Sequence, residues 1–336
     1  MRKVNIGING FGRIGRTFFR LLKKYPHLRV TAINDLADAG TLAYLLKYDS
    51  IHGVYPKHFT HTNTHLQIDG QKIALIRAAH PKSINWAAHG VEVVVEATGK
   101  FRKKSELEEH LKNGAKKVIL SAPPEEDSIK MIVFGVNHEQ LSETDRIISN
   151  ASCTTNNAAP MIQVMNRLCG IEQAYITTVH SYTTDQSLHD QPHRDLRRAR
   201  AAALSIVPTT TGAAKALTRI FPELAHVIGG CGIRVPVPNG SLTDITLNVK
   251  RVTSIKEINN TFESASHKEL KNILFYTNDP IVSADINNSC YSCTFDSQMT
   301  SVIGKMVKII GWYDNETGYS SRIIDVINLM INKNYI

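Results

Sequence analysis

Residues 4 to 15 read Val4-Asn5-Ile6-Gly7-Ile8-Asn9-Gly10-Phe11-Gly12-Arg13-Ile14-Gly15, a short apolar β-run that leads into the pattern G-x-G-x-x-G. In this pattern the first glycine permits a tight turn and the second lets backbone N–H groups approach a pyrophosphate. The third lets the following helix lie close on the strand. The stretch therefore predicts a strand, a tight loop and a helix whose N-terminus binds the phosphates of a dinucleotide.

An acidic residue stands where this fingerprint requires one. Asp35 follows the second apolar run, Leu28 to Asn34, and lies twenty residues after Gly15. A carboxylate there binds the ribose hydroxyls of adenosine and repels the additional phosphate of NADP. We therefore predict NAD as the cofactor. The structural alternative is a glycine-rich turn without a ligand, followed by a helix-capping aspartate.

The strand and helix patterns differ between the two parts of the chain. In the first part, apolar runs such as Val91–Glu96 and Lys117–Leu120 alternate with helical segments, which is typical of a parallel sheet covered on both faces. After about residue 152, period-two alternation, clearest in Leu242–Val249, indicates an antiparallel sheet. We predict an α/β protein with an N-terminal Rossmann-type domain over 1–152 and an α+β catalytic domain with a mainly antiparallel sheet over 153–316.

Composition limits the class of protein. The chain has 336 residues, 42% apolar and 21% charged, as in a globular protein with room for two domains. No stretch approaches the roughly 18 apolar residues that span a bilayer, and an immediate β-run leaves no room for a signal peptide. These two features favour a cytoplasmic location. Five cysteines show no disulfide framework, and the C-x-x-C spacing of Cys290 and Cys293 lacks a second pair to complete a zinc site, so we expect reduced thiols and no metal. The net charge of +9 suits an anionic substrate and nucleic acid equally.

One cysteine has the setting of a nucleophile. The octet Ser149-Asn150-Ala151-Ser152-Cys153-Thr154-Thr155-Asn156 places Cys153 between a β-run that ends at Ser149 and a helix predicted over Ala158 to Leu168. A thiolate near a helix N-terminus is stabilised by unsatisfied backbone N–H groups. The sequence therefore predicts a thiol with a lowered pKa, which reacts at neutral pH.

The same octet matches the active-site signature of phosphorylating glyceraldehyde-3-phosphate dehydrogenases, and the chain resembles that family nearly end to end. The resemblance implies that His180, in Thr178-Val179-His180-Ser181-Tyr182-Thr183, is the catalytic partner of Cys153. An imidazolium next to the sulfur stabilises the thiolate, and a neutral imidazole accepts a proton from the thiohemiacetal hydroxyl.

The resemblance also implies which residues bind the ligands. The cofactor residues are Asn9, Gly10, Gly12, Arg13, Ile14, Gly15, Asp35, Phe101, Ser121 and Asn315. The phosphate of the substrate is bound by Thr183, Asp185 and Arg234 with help from Arg198, and the attacking phosphate by Ser152, Thr154, Thr211 and Gly212. An arginine suits a phosphate through its planar fork of donors. Considered singly, Phe101 is compatible with an ordinary core residue, Thr209–Thr211 with a helix cap and Arg234 with a surface charge.

Three residues depart from the family pattern. Gln191 stands before Pro192 where many NAD-dependent members have leucine, which slightly weakens the preference for NAD over NADP. Thr317 stands where the family usually has tryptophan, and we expect altered packing near the nicotinamide. Asn157 replaces a second cysteine that many relatives carry four residues after the nucleophile, a thiol that the chemistry does not need.

As a member of this family, the protein would convert glyceraldehyde 3-phosphate, NAD and inorganic phosphate to 1,3-bisphosphoglycerate in glycolysis and gluconeogenesis. The resemblance further implies a cytoplasmic homotetramer and a C-terminal helix, within 317–336, that packs back on the first domain. The nearest alternative enzyme is an erythrose-4-phosphate dehydrogenase, which Leu36–Ala39 and Leu45–Asp49 favour. Thr209–Gly212 follows the phosphorolytic pattern instead.

The alternative outside enzymology is a protein that binds RNA or a surface partner through the basic cluster His193–Arg200. No aromatic residues interleave with this cluster to stack on bases, as a single-strand platform requires. In the family the segment is a loop that lines the cofactor pocket at a subunit interface. We therefore do not expect a nucleic-acid partner.

Overall fold

The computed structural model describes residues 2–336, and the chain divides into two compact units. Unit 1 comprises the residues up to 132 together with 138–151 and 320–336. Unit 2 comprises 133–137 and 152–319. The short segment 133–137 thus belongs with the later part of the chain, although the sequence pattern predicts no interruption there.

Strands and helices follow one another in both units. Those up to residue 151 are β1 (Val4–Asn9), α1 (Arg13–Leu21), β2 (Leu28–Asn34), α2 (Ala39–Lys47), β3 (Tyr48–Asp49), β4 (Gly53–Val54), β5 (Phe59–Thr62), β6 (His65–Ile68), β7 (Gln71–Ile76), β8 (Val93–Glu96), α3 (Lys104–Lys112), β9 (Lys117–Leu120), β10 (Lys130–Met131) and β11 (Ile147–Ser149). Those that follow are α4 (Cys153–Cys169), β12 (Ile171–Ser181), β13 (Val207–Thr209), α5 (Ala213–Ile220), β14 (Ile228–Val235), β15 (Ser241–Val249), α6 (Ile255–His267), β16 (Leu274–Thr277), β17 (Cys293–Asp296), β18 (Ser301–Ile303), β19 (Met306–Tyr313) and α7 (Thr317–Asn332).

The sheet of unit 1 has the order β10-β11-β9-β8-β1-β2-β7-β6-β5. It is parallel from β10 to β7, and β6 and β5 extend it as an antiparallel edge. Asp69 and Gly70 both have positive φ, as the tight hairpin between β6 and β7 requires. The Rossmann-type prediction is confirmed, and β1 lies between β2 and β8, so their carboxyl ends meet at one edge.

The apolar runs that predict this sheet form its core. Trp86, Val94 and Val118 belong to one buried cluster of unit 1, to which Leu107 of α3 also belongs. In α7 one stripe of apolar side chains is buried, namely Ile323, Ile324, Ile327 and Met330. Within unit 1, Asn328 Oδ1 lies 2.7 Å from His27 Nε2. Across residues 2–336, none of the helices combines the length and apolarity that crossing a bilayer needs.

The sheet of unit 2 has the order β13-β14-β12-β15-β19-β17-β16, and β18 pairs with β19. Only β12 with β14 and β16 with β17 are parallel pairs. The other pairs are antiparallel, which confirms the mainly antiparallel prediction. Helices α4, α5 and α6 contact these strands. In the β12–β14 register His180 stands opposite Arg234, which brings two predicted site residues together.

Candidate active site

The candidate nucleophile is the first residue of a long helix. Helix α4 begins at Cys153, and the Ser152 hydroxyl caps it by accepting a hydrogen bond from Thr155 N at 3.1 Å. Just before this cap, Ala151 is fully buried with φ of 54°, a left-handed conformation that costs a residue other than glycine about 1–3 kcal/mol. Such strain is concentrated at functional sites, and here it immediately precedes the helix that carries the cysteine.

Cys153 and His180 form a pair within unit 2. The Sγ atom lies 3.4 Å from Nε2 of the buried imidazole. The other ring nitrogen, Nδ1, lies 2.7 Å from the Ser181 carbonyl oxygen, which also accepts a hydrogen bond from Arg234 at 3.0 Å. Nδ1 also lies 2.5 Å from Arg234 Nη1, which can only donate, so its two contacts favour opposite tautomers of the ring. The tautomer with its proton on Nδ1 donates to the carbonyl and leaves Nε2 as an acceptor facing the sulfur.

Burial controls the protonation of this pair. It raises the pKa of the Cys153 thiol, and the charge of Arg234 together with hydrogen bonds at the helix start opposes that rise. Burial, followed by the charge of Arg234, lowers the pKa of His180 to about 3. The prediction that the helix N-terminus lowers the thiol pKa is therefore wrong for the free site, because desolvation outweighs it. The sulfur depends on the adjacent Nε2 to take its proton.

Three buried hydroxyls lie beside the pair. Thr154 Oγ1 and Thr178 Oγ1 each lie 2.9 Å from the Tyr313 hydroxyl, whose pKa burial raises. The Tyr313 ring also stands edge-on to His180, with 6.0 Å between the ring centres. Thr154 is a predicted phosphate ligand, and here its hydroxyl is engaged with Tyr313. Sequence reasoning missed Tyr313, although it directly precedes the segment that contains Asn315.

The predicted phosphate ligands include a cluster of charges. Arg198 forms an ion pair with Asp185 and donates from Nε to Thr209 Oγ1 at 2.9 Å. Burial lowers the pKa of Arg234, and the nearby charge of Arg198 lowers it further. Arg234 therefore lies close to both Cys153 and Arg198, and two neighbouring arginine charges are suited to an anion.

The remaining predicted phosphate residues lie at turns. The Thr211 hydroxyl accepts a hydrogen bond from Ala213 N at 3.2 Å, and Gly212 is the N-cap residue of α5, which has no side-chain cap. Thr183 is half-buried just after β12, and its carbonyl accepts from Gln186 N. In this structure Ser152 and Thr211 thus make the helix-start contacts that capping residues make. Their binding of phosphate stays a prediction.

The glycine-rich loop of unit 1 has the geometry of its fingerprint. Gly10 has φ of 90°, and a Cβ there would lie 2.7 Å from Thr98 N. A Cβ on Gly15 would lie 2.2 Å from the Gly10 carbonyl oxygen, whereas one on Gly12 would meet no atom within 4 Å. Helix α1 has neither a side-chain cap nor an acidic residue in its first turn, so its N-terminus can receive an anion. These features fit a bound pyrophosphate.

Gly15 and Gly12 of this loop allow a matched prediction. Gly15→Ala is expected to lower the free energy of unfolding by roughly 1–3 kcal/mol, because its methyl group overlaps a backbone oxygen. Gly12→Ala is expected to leave it unchanged within about 0.5 kcal/mol and to weaken NAD binding. Urea unfolding and NAD titration measure the two effects. A Gly12→Ala protein with wild-type NAD affinity would contradict the prediction.

Asp35 and Asn9 belong to the edge where β1 and β2 end. Asp35 Oδ2 accepts a hydrogen bond from Phe11 N at 2.8 Å, and Asn9 Oδ1 accepts from Asn34 Nδ2 at 2.7 Å. The guanidinium of Arg13, by contrast, donates two hydrogen bonds to the carboxylate of Asp49, with N–O distances of 2.6 and 3.1 Å. Burial alone would raise the pKa of Asp49, but hydrogen bonds from Arg13 and two backbone N–H groups lower it.

The other predicted cofactor residues are distributed over both units. Ile14, Phe101 and Ser121 are half-buried in unit 1, where Phe101 lies beside His80 with ring centres 5.8 Å apart. Asn315 lies in unit 2, and its Oδ1 accepts hydrogen bonds from Ser181 Oγ at 2.9 Å and Ser241 Oγ at 3.1 Å. These two hydroxyls fix the orientation of the amide beside His180.

The basic cluster His193–Arg200 is partly neutralised by acidic residues. Arg198 and His193 both face Asp185, the latter at 3.5 Å, and Arg200 Nε lies 3.0 Å from Asp190. The charge available to a polyanion is therefore smaller than the sequence indicates.

Two of the departures from the family pattern are buried. Asn157 Nδ2 donates to the carbonyl oxygens of Ser292 at 3.3 Å and Trp312 at 3.2 Å, so it joins α4 to β19. Thr317 begins α7, and its backbone N donates to Asp314 Oδ1 at 2.8 Å. The third, Gln191, is exposed. The amide of Asn157 therefore has a structural role that sequence reasoning did not find.

Parts of both units match domains of one known protein family. Residues 4–104 match the NAD binding domain, and residues 152–315 the C-terminal domain, of glyceraldehyde 3-phosphate dehydrogenase. The chain is 48% identical over 332 residues to the glyceraldehyde-3-phosphate dehydrogenase of Geobacillus stearothermophilus, which covers 98% of this chain and 99% of the relative. It is 49% identical to the enzyme of the same name from Streptomyces coelicolor, over 96% of this chain and 97% of the relative. It is 47% identical to the one from Thermotoga maritima, over 97% of this chain and 98% of the relative. The chain belongs to the glyceraldehyde-3-phosphate dehydrogenase family, with an NAD-binding domain.

Proposed function

We propose that this protein oxidises and phosphorylates glyceraldehyde 3-phosphate to 1,3-bisphosphoglycerate, with NAD and inorganic phosphate, in glycolysis and gluconeogenesis. The observation that carries the proposal is the 3.4 Å approach of Cys153 Sγ to His180 Nε2, with Arg234 Nη1 2.5 Å from Nδ1 of the same imidazole. A thiol, a base and a cation in one site suit acyl transfer to an anionic acceptor.

The chemistry begins at the sulfur. Cys153 Sγ attacks the aldehyde carbon as Nε2 of His180 takes the thiol proton and returns it to the new oxygen, which gives a thiohemiacetal. Free N–H groups at the start of α4 stabilise the charge on that oxygen as it develops. Nε2 next takes the hydroxyl proton as the carbonyl re-forms and the C–H bond of that carbon breaks, its hydrogen leaving as a hydride.

The chemistry that NAD supplies when bound is the acceptance of a hydride. The product on the chain is then a thioester of Cys153. Phosphate oxygen attacks its carbonyl carbon, the carbon–sulfur bond breaks, and the departing sulfur recovers a proton from His180. Because the thioester is attacked by phosphate and not by water, the product is an acyl phosphate.

Two sets of residues support this sequence of steps. The residues that would hold NAD are Asn9, Gly10, Gly12, Arg13, Ile14, Gly15, Asp35, Phe101, Ser121 and Asn315. The phosphate of the substrate would be bound by Thr183, Asp185, Arg198 and Arg234. The attacking phosphate would be bound by Ser152, Thr154, Thr211 and Gly212. The arginines contribute charge and paired donors, whereas helix starts contribute backbone N–H groups.

Asp35 offers a test of cofactor choice. Asp35→Gly is expected to narrow the preference for NAD over NADP by about tenfold or more, because the ribose loses a charged acceptor and the repulsion of a 2′-phosphate disappears. The ratio of kcat/KM for the two cofactors measures this. Asp38→Gly is the control, since Asp38 caps α2 through Thr41 N at 2.9 Å. An unchanged ratio in the Asp35 variant would show that its carboxylate does not face the ribose.

Initial rates decide between the two enzyme functions. We expect NADH to form fastest from glyceraldehyde 3-phosphate, and only with phosphate present. Faster NADH formation from erythrose 4-phosphate without phosphate would instead identify an erythrose-4-phosphate dehydrogenase. The same assay with NADP tests the effect of Gln191.

A cytoplasmic homotetramer is part of the proposal. Leu188, Leu204 and Ile206 of unit 2 are 70%, 84% and 70% exposed. Exposed apolar side chains close in sequence favour a protein contact, and the family resemblance implies that the contact is with further copies of the chain. Light scattering coupled to gel filtration would give four times the chain mass. A monomer at micromolar concentration would contradict this assembly.

A further inference from the structure

A buried carboxylate lies at the end of a central strand in unit 1. Glu96 is the last residue of β8 and has no exposed surface. Its Oε1 accepts hydrogen bonds from the backbone N of Thr98, at 2.9 Å, and from the Thr98 hydroxyl. Its Oε2 lies 3.1 Å from His110 Nε2 and accepts a hydrogen bond from Asn9 Nδ2. Burying a charge is costly unless hydrogen bonds compensate for lost water, and here every contact is with a donor.

His110 is held in one protonation state by its two neighbours. Trp86 Nε1 can only donate, and it donates to His110 Nδ1 at 2.9 Å. Nδ1 is therefore without a proton, and the proton on Nε2 points at Glu96. The imidazole thus accepts from Trp86 and donates to Glu96 Oε2, so the carboxylate receives hydrogen bonds at both oxygens.

The cluster extends into the dinucleotide fingerprint. Asn9 donates to Glu96 and accepts from Asn34, whose own amide binds the backbone N and O of Ala78 at 2.8 and 3.0 Å. Asn9 directly precedes Gly10, and Asn34 directly precedes Asp35. The hydrogen bonds therefore fix the ends of β1, β2 and β8 at the positions where the fingerprint loop and its acid begin.

The negative charge also decides the direction of these hydrogen bonds. A carboxylate only accepts, so the amide of Asn9 must turn its NH₂ group toward Glu96 and its oxygen toward Asn34. A neutral side chain of the same shape could present a donor there and lose the hydrogen bond from Asn9. Ala78 orients Asn34, and Glu96 supports from the other side the orientation of Asn9 that Asn34 requires.

We propose that Glu96 is a positioning residue for NAD, acting through Asn9 and Asn34 to hold Gly10 and Asp35 in their binding geometry. The inference rests on the proposed use of NAD. Glu96 itself touches no ligand in this scheme, so its effect is on the affinity for the cofactor and not on the chemistry at Cys153.

Glu96→Gln tests this proposal, since it keeps the shape and removes the charge. Calorimetric titration of the full-length protein is expected to show the Kd for NAD raised by about tenfold, the scale of a hydrogen bond to a charged group, with an unchanged number of sites. A merely structural role would lower the number of sites and the Tm but leave the Kd of the folded fraction alone. A Kd within about twofold of wild type, below the effect of one ordinary hydrogen bond, would overturn the proposal.

Glu92→Gln is the matched control. Glu92 directly precedes β8 at the other end of the strand, where it pairs with Arg2 and, at 3.0 Å, with Lys116. Loss of its charge is expected to leave the Kd for NAD unchanged. If Glu96→Gln does not fold, Thr98→Val removes one donor to the same carboxylate and is expected to raise the Kd about threefold. No change in that variant would equally contradict the proposal.

A double-mutant cycle tests the route through Asn9. If Glu96 acts through Asn9, the effects of Asn9→Ala and Glu96→Gln on the Kd are less than additive. Additive effects would exclude this route. Absence of NAD binding by the wild-type protein would contradict the proposed function itself, whereas wild-type binding with an unaffected Glu96→Gln variant contradicts only the positioning role.

Discussion

Cys153→Ser is expected to lower kcat by on the order of 10⁴-fold or more, the scale seen when a covalent nucleophile is removed, and to leave the Kd for NAD unchanged. The serine hydroxyl is far less acidic than the thiol and a weaker nucleophile. The substitution is close to isosteric and lies at a helix start, which serine tolerates well. The fold and the fingerprint loop should therefore be preserved. Initial rates of NADH formation and calorimetric titration with NAD measure the two quantities.

Cys231→Ser is the matched control for this variant. Cys231 is a half-buried thiol of β14 in the same unit, with its Sγ 3.8 Å from Thr177 Oγ1. We expect wild-type turnover from it, and loss of the fast-alkylating thiol only from the Cys153 variant. Substantial dehydrogenase activity in Cys153→Ser protein would rule out the covalent route, whatever its NAD affinity.

The parts of the site that sequence reasoning predicted are those set by local geometry. Gly10 and Gly15 lie five residues apart, and the contact between them is a property of the strand–turn–helix unit that they form. The same holds for the start of α4, where Ser152 and Thr155 make the cap. For this reason the composition of a short segment was enough to predict the start of α1 and a helix after Ser149. The start of α4 was nevertheless predicted too late, at Ala158, whereas the helix begins at Cys153.

The contacts that sequence reasoning missed join residues far apart in the chain. Tyr313 contacts Thr154 across 159 positions, and Glu96 contacts Asn9 across 87. No periodicity or spacing relates such residues, because the sheet order brings them together. The pairing of Cys153 with His180 was likewise available only through the family resemblance.

Burial explains the error about the thiol. The position of Cys153 at a helix N-terminus can be read from sequence, but the desolvation of its sulfur depends on side chains from other elements. The partial charges of the helix act at short range and are modest in size, so a buried sulfur loses more from lost hydration than it gains from them. The consequence is a thiol whose reactivity depends on its neighbouring base, which His180 supplies.

Removal of this base gives the second large effect. His180→Asn is expected to lower kcat by about 10²–10⁴-fold, the usual contribution of a general base. It should also change how the rate of Cys153 alkylation depends on pH. In the wild-type protein the imidazole, with a pKa of about 3, is neutral at pH 7 but a weak base. Its Nε2 can accept the thiol proton only as the sulfur bonds to carbon, when the S–H group becomes more acidic.

Without the imidazole the thiol must lose its proton to solvent. Burial raises the pKa of Cys153. Alkylation by iodoacetamide should therefore be slow at neutral pH, and its rate should still be rising at pH values above about 8.5, the ordinary thiol pKa. His226→Asn is the control, because His226 is exposed at φ of 70°, a conformation that asparagine adopts readily. Identical pH profiles for wild-type and His180→Asn protein would show that Nε2 does not receive the proton. The role of His180 would then be reduced to shaping the pocket around the sulfur.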